Sequence, residues 1–252
     1  MSKRLFESII DQLARGYDVR GYIGYGLFGD ALVDPLVVER TAYIRERLPY
    51  VTMSIGTNAA AYNREKHSCL SKVLNGITVH VEAVSAEKYN YLMSPLRFER
   101  VSEKLDQIVD DFRGMVDIAV PWHRENDTER QAITDYFVRR GVRDIHFFGI
   151  SNRCSMTARY DELAFQPVPH PCRSDILQDL IFDWDGSVFP CCNDFQKLHP
   201  IGNLSTSSVD EVMDNQLRLQ FGELLNNGAW DRLPTCATCS WDMRTPYHTR
   251  PG

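Results

Sequence analysis

The sequence predicts an α/β chain built on a parallel sheet, followed by a small cysteine-rich α+β module. Three observations predict it. Short apolar runs alternate with stretches of helical spacing through the first half of the chain, the alternation stops near Ser151, and Cys172, Cys191, Cys236 and Cys239 follow in the last third. Strict strand and helix alternation is the pattern of parallel strands joined by crossover helices, in a sheet that is open or curled into a barrel, with its ligand site at the C-terminal ends of the strands.

Residues 3–16 place Leu5, Ile9, Ile10 and Leu13 on one helical face, and Gly16 ends the run. Residues 21–29, GYIGYGLFG, read as a short strand with a glycine-rich exit. Helical spacing resumes over 35–47 from Pro35, a residue suited to a first helical turn. A second strand is expected over 50–55, a weaker helix over 60–73 and a third strand over 77–83. The helix over 96–112 gathers Phe98, Val101, Leu105, Ile108, Val109 and Phe112 on its apolar side. A fourth strand over 116–121, a helix over 128–140 opened by Asp127 and a fifth strand over 144–150 complete the alternation. Residues 161–175 are rich in proline, histidine and cysteine, and one further helix is expected over 208–226. The predicted organisation is therefore a sheet domain over 1–155 and a smaller module over 156–252.

Composition narrows the function classes. The 252 residues are 43% hydrophobic and 25% charged, values of an ordinary globular chain, and no run approaches the ~18 apolar residues a spanning helix needs. The N-terminus alternates apolar with charged positions and lacks the continuous apolar core of a signal peptide, so a cytoplasmic location is expected. Acids and bases are interspersed at a net charge of −6, which leaves no basic stripe for a phosphate backbone and excludes nucleic acid as a direct partner. Seven cysteines, an odd number, in a chain without an export signal read as metal ligands rather than disulfides.

Cys172 is followed by thirteen residues, Gly186, four residues and Cys191; the chain later closes on the pair Cys236-Ala-Thr-Cys239. A CxxC pair holds two thiolates close enough to share a metal or cluster. A hairpin turning at Asp185-Gly186 would swing Cys191 back beside Cys172. The module has too few apolar residues for a large core, so the metal would help to fold it. An iron–sulfur cluster is the first reading; zinc on four thiolates is the competing one, since spacing alone seldom separates the two. Cys192 competes with Cys191, although on a strand the two side chains point to opposite faces. Cys69 and Cys154 stand alone and read as buried structural thiols. Asp183, Asp185, Asp194 and Asp242 are candidates to bond amides around the centre. His80, Glu82, Trp122 and His123 at strand ends read as packed or satisfied residues rather than ligands.

On these residues the chain resembles the auxiliary-cluster module, of twitch or SPASM kind, that follows the barrel in radical S-adenosylmethionine (radical SAM) enzymes. The resemblance runs through Cys172, Gly186 and Cys191, then Val188-Phe189-Pro190-Cys191-Cys192-Asn193-Asp194, Ile201-Gly202-Asn203-Leu204, the helix after Ser208, and Cys236 and Cys239. No cysteine follows Cys239, which implies one auxiliary 4Fe-4S cluster, as in the shorter twitch form. The front of the chain resembles the same family's (β/α)6 partial TIM-like barrel. Asp30, in Gly29-Asp30-Ala31, matches the acidic position that contacts the amino group of S-adenosyl-L-methionine, with aspartate for glutamate and Ala31 for proline. Asn58, in Gly56-Thr57-Asn58, matches the third strand end; Ser85 lies in the turn after the fourth, and Asn152-Arg153 after the sixth. The resemblance thus implies Asp30, Asn58, Ser85, Asn152 and Arg153 as cofactor-binding residues, and Cys172, Cys191, Cys236 and Cys239 as cluster ligands. Its catalytic residues stay unassigned.

The family's CxxxCxxC motif, expected after a first barrel strand, does not occur before Cys69. The barrel is therefore expected to be incomplete, missing its first strand, and this chain alone is expected not to cleave S-adenosylmethionine. A misplaced start, a segment supplied in trans and loss of the chemistry each account for the pattern. The strand over 20–26 would then expose a parallel edge, which calls for a partner chain, a second copy or an N-terminal segment outside this sequence to cover it. Two functions follow: a metal-binding iron–sulfur protein of that family acting on a peptide or small metabolite, or a non-catalytic protein, stabilised by a cluster or zinc, that binds a peptide or partner. Neither reading involves a membrane.

Overall fold

The computed structural model describes residues 1–19, 21–169, 172, 177–244 and 247–249. Its helices and strands run in the order α1 (Lys3–Gly16), β1 (Tyr22–Tyr25), α2 (Val37–Arg47), β2 (Thr52–Thr57), α3 (Arg64–His67), β3 (Gly76–His80), α4 (Ala86–Leu92), α5 (Phe98–Asp111), β4 (Val116–Trp122), α6 (Arg130–Val138) and β5 (Asp144–Gly149). There follow α7 (Tyr160–Leu163), β6 (Pro167–Pro169), β7 (Ile181–Phe182), β8 (Ser187–Phe189), β9 (Gly202–Asn203), α8 (Val209–Met213), α9 (Gln216–Asn226), α10 (Pro234–Ala237), β10 (Ser240–Asp242) and β11 (Tyr247–Thr249). Two compact units form: Arg20–Gly149 with Arg244–Gly252, and Met1–Val19 with Ile150–Met243.

The first unit is the expected α/β fold. Strands β1 to β5 are parallel and adjacent in chain order, with Ile23 opposite Met53, Ile55 opposite Ile77, Val79 opposite Ile118 and Ile118 opposite Ile145. An order without reversal winds every crossover in one direction, which is the topology of a barrel wall and not of a doubly wound sheet. The strands supply Met53, Ile55, Ile77, Ile118, Val120, Ile145 and Phe147 to the core, and the helices supply Ile44, Leu105, Ile108, Phe112, Ile133 and Phe137, all essentially fully buried. Each such side chain contributes about 1.5–3 kcal/mol through burial. At the exit of β1, Gly26 sits at φ +93°, and a Cβ there would meet the Gly56 carbonyl at 2.7 Å, so only glycine lets the ends of β1 and β2 approach. β11 pairs antiparallel with β5, Tyr247 opposite Phe147, an element that no sequence period announces.

In the second unit α1 buries Ile9 against Val188, Ile201, Leu204, Val209 and Val212. The N-terminal helix thus packs with the cysteine module. The hairpin forms as expected: β7 and β8 pair antiparallel around Gly186 at φ +89°, where a Cβ would stand 2.9 Å from Asn203 Oδ1.

Several boundaries differ from expectation. The helix over 60–73 is a single turn, α3, continued by a 3-10 turn over Ser68–Lys72. The expected strand over 77–83 ends at His80, and α4 follows Ser85. The helix over 208–226 breaks at Asn215, whose extended backbone and side-chain bond to the Leu217 amide start a second helix, because an asparagine cap competes with helix continuation.

Candidate metal centre and strand-end residues

Two local devices present the thiols. The β7–β8 hairpin carries Cys191 on a buried exit, Phe189-Pro190-Cys191. Pro234 opens α10 at a position where its missing N–H is harmless, and the turn ends with the Cys239 amide on the Cys236 carbonyl at 3.0 Å. Cys191, Cys236 and Cys239 are 8%, 8% and 7% exposed, and Cys172 is half-buried.

The thiols act on one another electrically. Burial pushes Cys236 up to about 12, helped by the charges of Cys239 and Cys172. Cys191 is pushed up by its hydrogen bond to Cys192, by burial and by the Cys192 and Cys172 charges. Cys239 is held down to about 7, chiefly by the Cys154 S–H, against burial and with help from Asn193. Thiols bind a metal only after losing their protons, and a bound metal would stabilise the resulting thiolates.

A direct test of fit lies in what faces the sulfurs. The Asn193 backbone N–H donates to Cys191 Sγ at 3.2 Å, and Asn193 Nδ2 donates to Cys239 Sγ at 3.6 Å. Donors aimed at buried sulfur suit metal-bound thiolates, so the residues present fit the group the cysteine pattern implies. An all-sulfur donor set serves an iron–sulfur cluster and zinc alike. Among the described residues no three His, Cys, Asp or Glu side chains are closed around a single-ion position.

The two thiols that stand alone in sequence differ. Cys154 is buried at 1% exposure, but it is not alone: its S–H is 3.2 Å from the Asn193 carbonyl and also faces Cys239. Cys69 is exposed, on a 3-10 turn, with its S–H on the Lys66 carbonyl, because that expected helix does not continue. The aspartates bond amides, as expected: Asp194 takes the Leu198 and His199 amides, Asp242 those of Phe165 and Gln166, and Asp185 that of Ser187. Asp183 takes the Trp184 amide and pairs with Lys197. Asn193, whose donors face two of the sulfurs, was not singled out by the sequence; its place directly after Cys191-Cys192 was the one available signal. Cys192 is exposed while Cys191 is buried.

Asn152 lies in the same unit as the cysteines. Its Oδ1 accepts from the Cys154 and Ser240 amides at 3.1 Å each, and its Nδ2 donates to the Thr238 carbonyl at 2.5 Å. Arg153, at φ 46°, is exposed and stacks its guanidinium 4.3 Å from the Phe195 ring centre.

The other expected cofactor residues stand at strand ends of the sheet unit. Asp30 caps a 3-10 turn by accepting from the Leu32 amide, and it also accepts from Thr57 Oγ1 and the Asn58 amide, each at 2.9 Å. Asp30 and Asn58 are thus brought together, with the cap role and the strand-end role in one carboxylate. Asn58 Oδ1 accepts from the Ala60 amide. Ser85 is held elsewhere: its hydroxyl donates to Glu129 Oε1 at 3.0 Å, and its amide and that of Val84 face Glu129 Oε2. Glu82 and His123 form a pair at 2.9 Å. The Glu125 amide donates to His123 Nδ1, which leaves Nε2 to carry the proton toward the carboxylate.

Residues 172–240 match the family model of the SPASM iron–sulfur cluster-binding domain. No curated protein sequence matches the chain. Among solved structures, BtrN in complex with AdoMet and 2-DOIA superposes with a TM-score of 0.64 at 16% identity, over 95% of this chain and 80% of that one. Native anSMEcpe with bound AdoMet gives 0.65 at 12% identity, over 89% and 75%. The same protein with AdoMet and the Cp18Cys peptide gives 0.66 at 13%, over 90% and 76%. Residues 172–240 are therefore similar to a SPASM iron–sulfur cluster-binding domain, and the chain shares the fold of these solved structures.

Proposed function

We propose that this chain is an iron–sulfur protein of the radical SAM/SPASM kind whose C-terminal module holds one auxiliary 4Fe-4S cluster on Cys172, Cys191, Cys236 and Cys239, with a peptide or small metabolite as its substrate class. The observation that carries the reading is the pair of Asn193 donors on Cys191 and Cys239, inside the segment that matches a cluster-binding domain. When bound, such a cluster would supply a one-electron centre. The chain's own residues keep the sulfurs buried, aim N–H groups at them, and hold the CxxC segment in place through Asn152.

In the same reading Asp30 offers a carboxylate, fixed by three donors, to the ammonium of S-adenosylmethionine, with Asn58 beside it. Support comes from the solved structures of this fold, whose AdoMet complexes include one with 2-DOIA and one with a peptide. No helix among the described residues is long and apolar enough to cross a membrane. The proposal places the chain in the reducing cytoplasm and assigns a partner chain or second copy to the open edge of β1.

Anaerobic reconstitution tests it. About four irons and four sulfides per chain and absorption near ~400 nm are expected of a thiolate-bound cluster. Cys236→Ser and Cys239→Ser should lose metal and destabilise their module, while Cys69→Ser should not. Stoichiometric zinc without sulfide would sink the proposal and leave a zinc-stabilised binding protein in its place.

A further inference from the structure

Asn193 is only 4% exposed, and every one of its polar atoms is engaged. Its backbone N–H reaches Cys191 Sγ at 3.2 Å and its Nδ2 reaches Cys239 Sγ at 3.6 Å. Its carbonyl accepts from the Phe195 amide and from the Cys154 S–H. Its Oδ1 accepts from Ser151 Oγ at 2.7 Å. The last bond settles which end of the amide faces the sulfur, because a thiolate only accepts: with the hydroxyl donating to Oδ1, the NH2 group is left toward Cys239.

We infer that Asn193 sets the reduction potential of the centre by donating one N–H to each of two thiolates from opposite ends of the module, and that Ser151 positions its side-chain amide for this. The inference rests on the iron–sulfur reading above. Its physical basis is charge. An added electron makes the thiolates more negative, so a donor aimed at sulfur stabilises the reduced state more than the oxidised one, and each such bond raises the potential. The surroundings are largely closed to water, so the two bonds act at low dielectric, where a fixed partial charge counts most. Asn193 is a positioning residue: it acts on the centre through Cys191 and Cys239 and is not assigned as a ligand.

The test uses the full chain, reconstituted anaerobically and titrated by potentiometry with EPR detection. Asn193→Leu keeps the volume and the backbone bond to Cys191 but removes Nδ2. The one-electron reduction constant should fall about tenfold, a shift of about 59 mV to lower potential. Asn193→Asp should shift further in the same direction, because a carboxylate replaces a donor. Ser151→Ala should shift less, since Nδ2 remains but is no longer held. Iron and sulfide content should stay at the wild-type level. Wild-type chain labelled with 15N-asparagine should show a weak nitrogen coupling to the reduced centre in pulsed EPR, a readout that does not depend on any variant folding. Variants with full iron and sulfide at the wild-type potential, or a labelled wild type without that coupling, would overturn the inference and leave the iron–sulfur reading standing. A wild type that takes zinc and no sulfide removes both.

Discussion

Asn152 shows how one amide can strap three backbone groups together. Asn152→Ala would leave the Cys154 and Ser240 amides and the Thr238 carbonyl without partners. Buried polar groups stripped of a partner lose about 1–3 kcal/mol each, so a net loss of about 3 kcal/mol is expected. Urea unfolding of the metal-free chain measures it, and an unchanged midpoint would remove the strapping role. Asp111 gives a second test at this scale. Burial alone would raise its carboxyl, but the Arg64 fork at 2.6–2.9 Å and the Tyr62 hydroxyl outweigh burial and hold it below its ordinary value. A depressed carboxylate contributes stability above its unfolded value of about 3.9 that is lost as pH falls through the lower folded value. The stability difference between the chain and Asp111→Asn should therefore narrow as pH drops toward the acid range; a constant gap would contradict the pairing. Residue roles were unevenly legible. The cap use of Asp30 could be read from an acid leaving a glycine-rich turn. The burial of Cys154 could be read too, but not its contact with Asn193, which depends on a hairpin folding back across some forty residues of chain.

Helix α1 fixes where local reading succeeds and where it stops. Its period is plain, and Ser2 caps it by accepting from the Leu5 amide. Which surface it covers is not a local property: Ile9, with none of its surface exposed, packs on Val188, Ile201, Leu204, Val209 and Val212. Ile9→Ala should cost about 3 kcal/mol, from lost burial plus the cavity left behind. Because that cluster belongs to the cysteine module, hydrogen exchange should speed up in β8 and α8 while the strands β2 to β5 keep their protection. Faster exchange confined to the sheet would contradict the packing. Elements with strong periods, α5 and the strands of the sheet, stand close to where the sequence places them. Those that failed did so for one reason: a side chain or a distant pairing overrode propensity, as Asn215 does between α8 and α9 and as β5 does by recruiting β11.

For the molecule as a whole, the sheet is asymmetric in a way that bears on association. β11 lies beside β5, whereas β1 pairs only with β2 among the described residues, so its outer edge carries a row of unpaired backbone groups. Edge strands are commonly guarded by lysine, proline or a bulge. Residues 21–25 read Gly-Tyr-Ile-Gly-Tyr and contain no such guard, and nearby Tyr22, Leu27 and Val33 are 63%, 45% and 68% exposed. The net charge of −6 resists general clumping but is spread over the chain and does not protect this edge in particular. The purified chain should therefore associate in a concentration-dependent manner through β1. Tyr22→Lys puts a charge on the edge, so two copies meeting there would bring like charges together, and sedimentation velocity should show the variant shifted toward monomer at matched concentration. The change lies on an exposed position, so stability should stay within about 0.5 kcal/mol. A wild type that is monomeric over the whole accessible range, or a variant that associates equally well, would mean that the edge of β1 does not drive assembly.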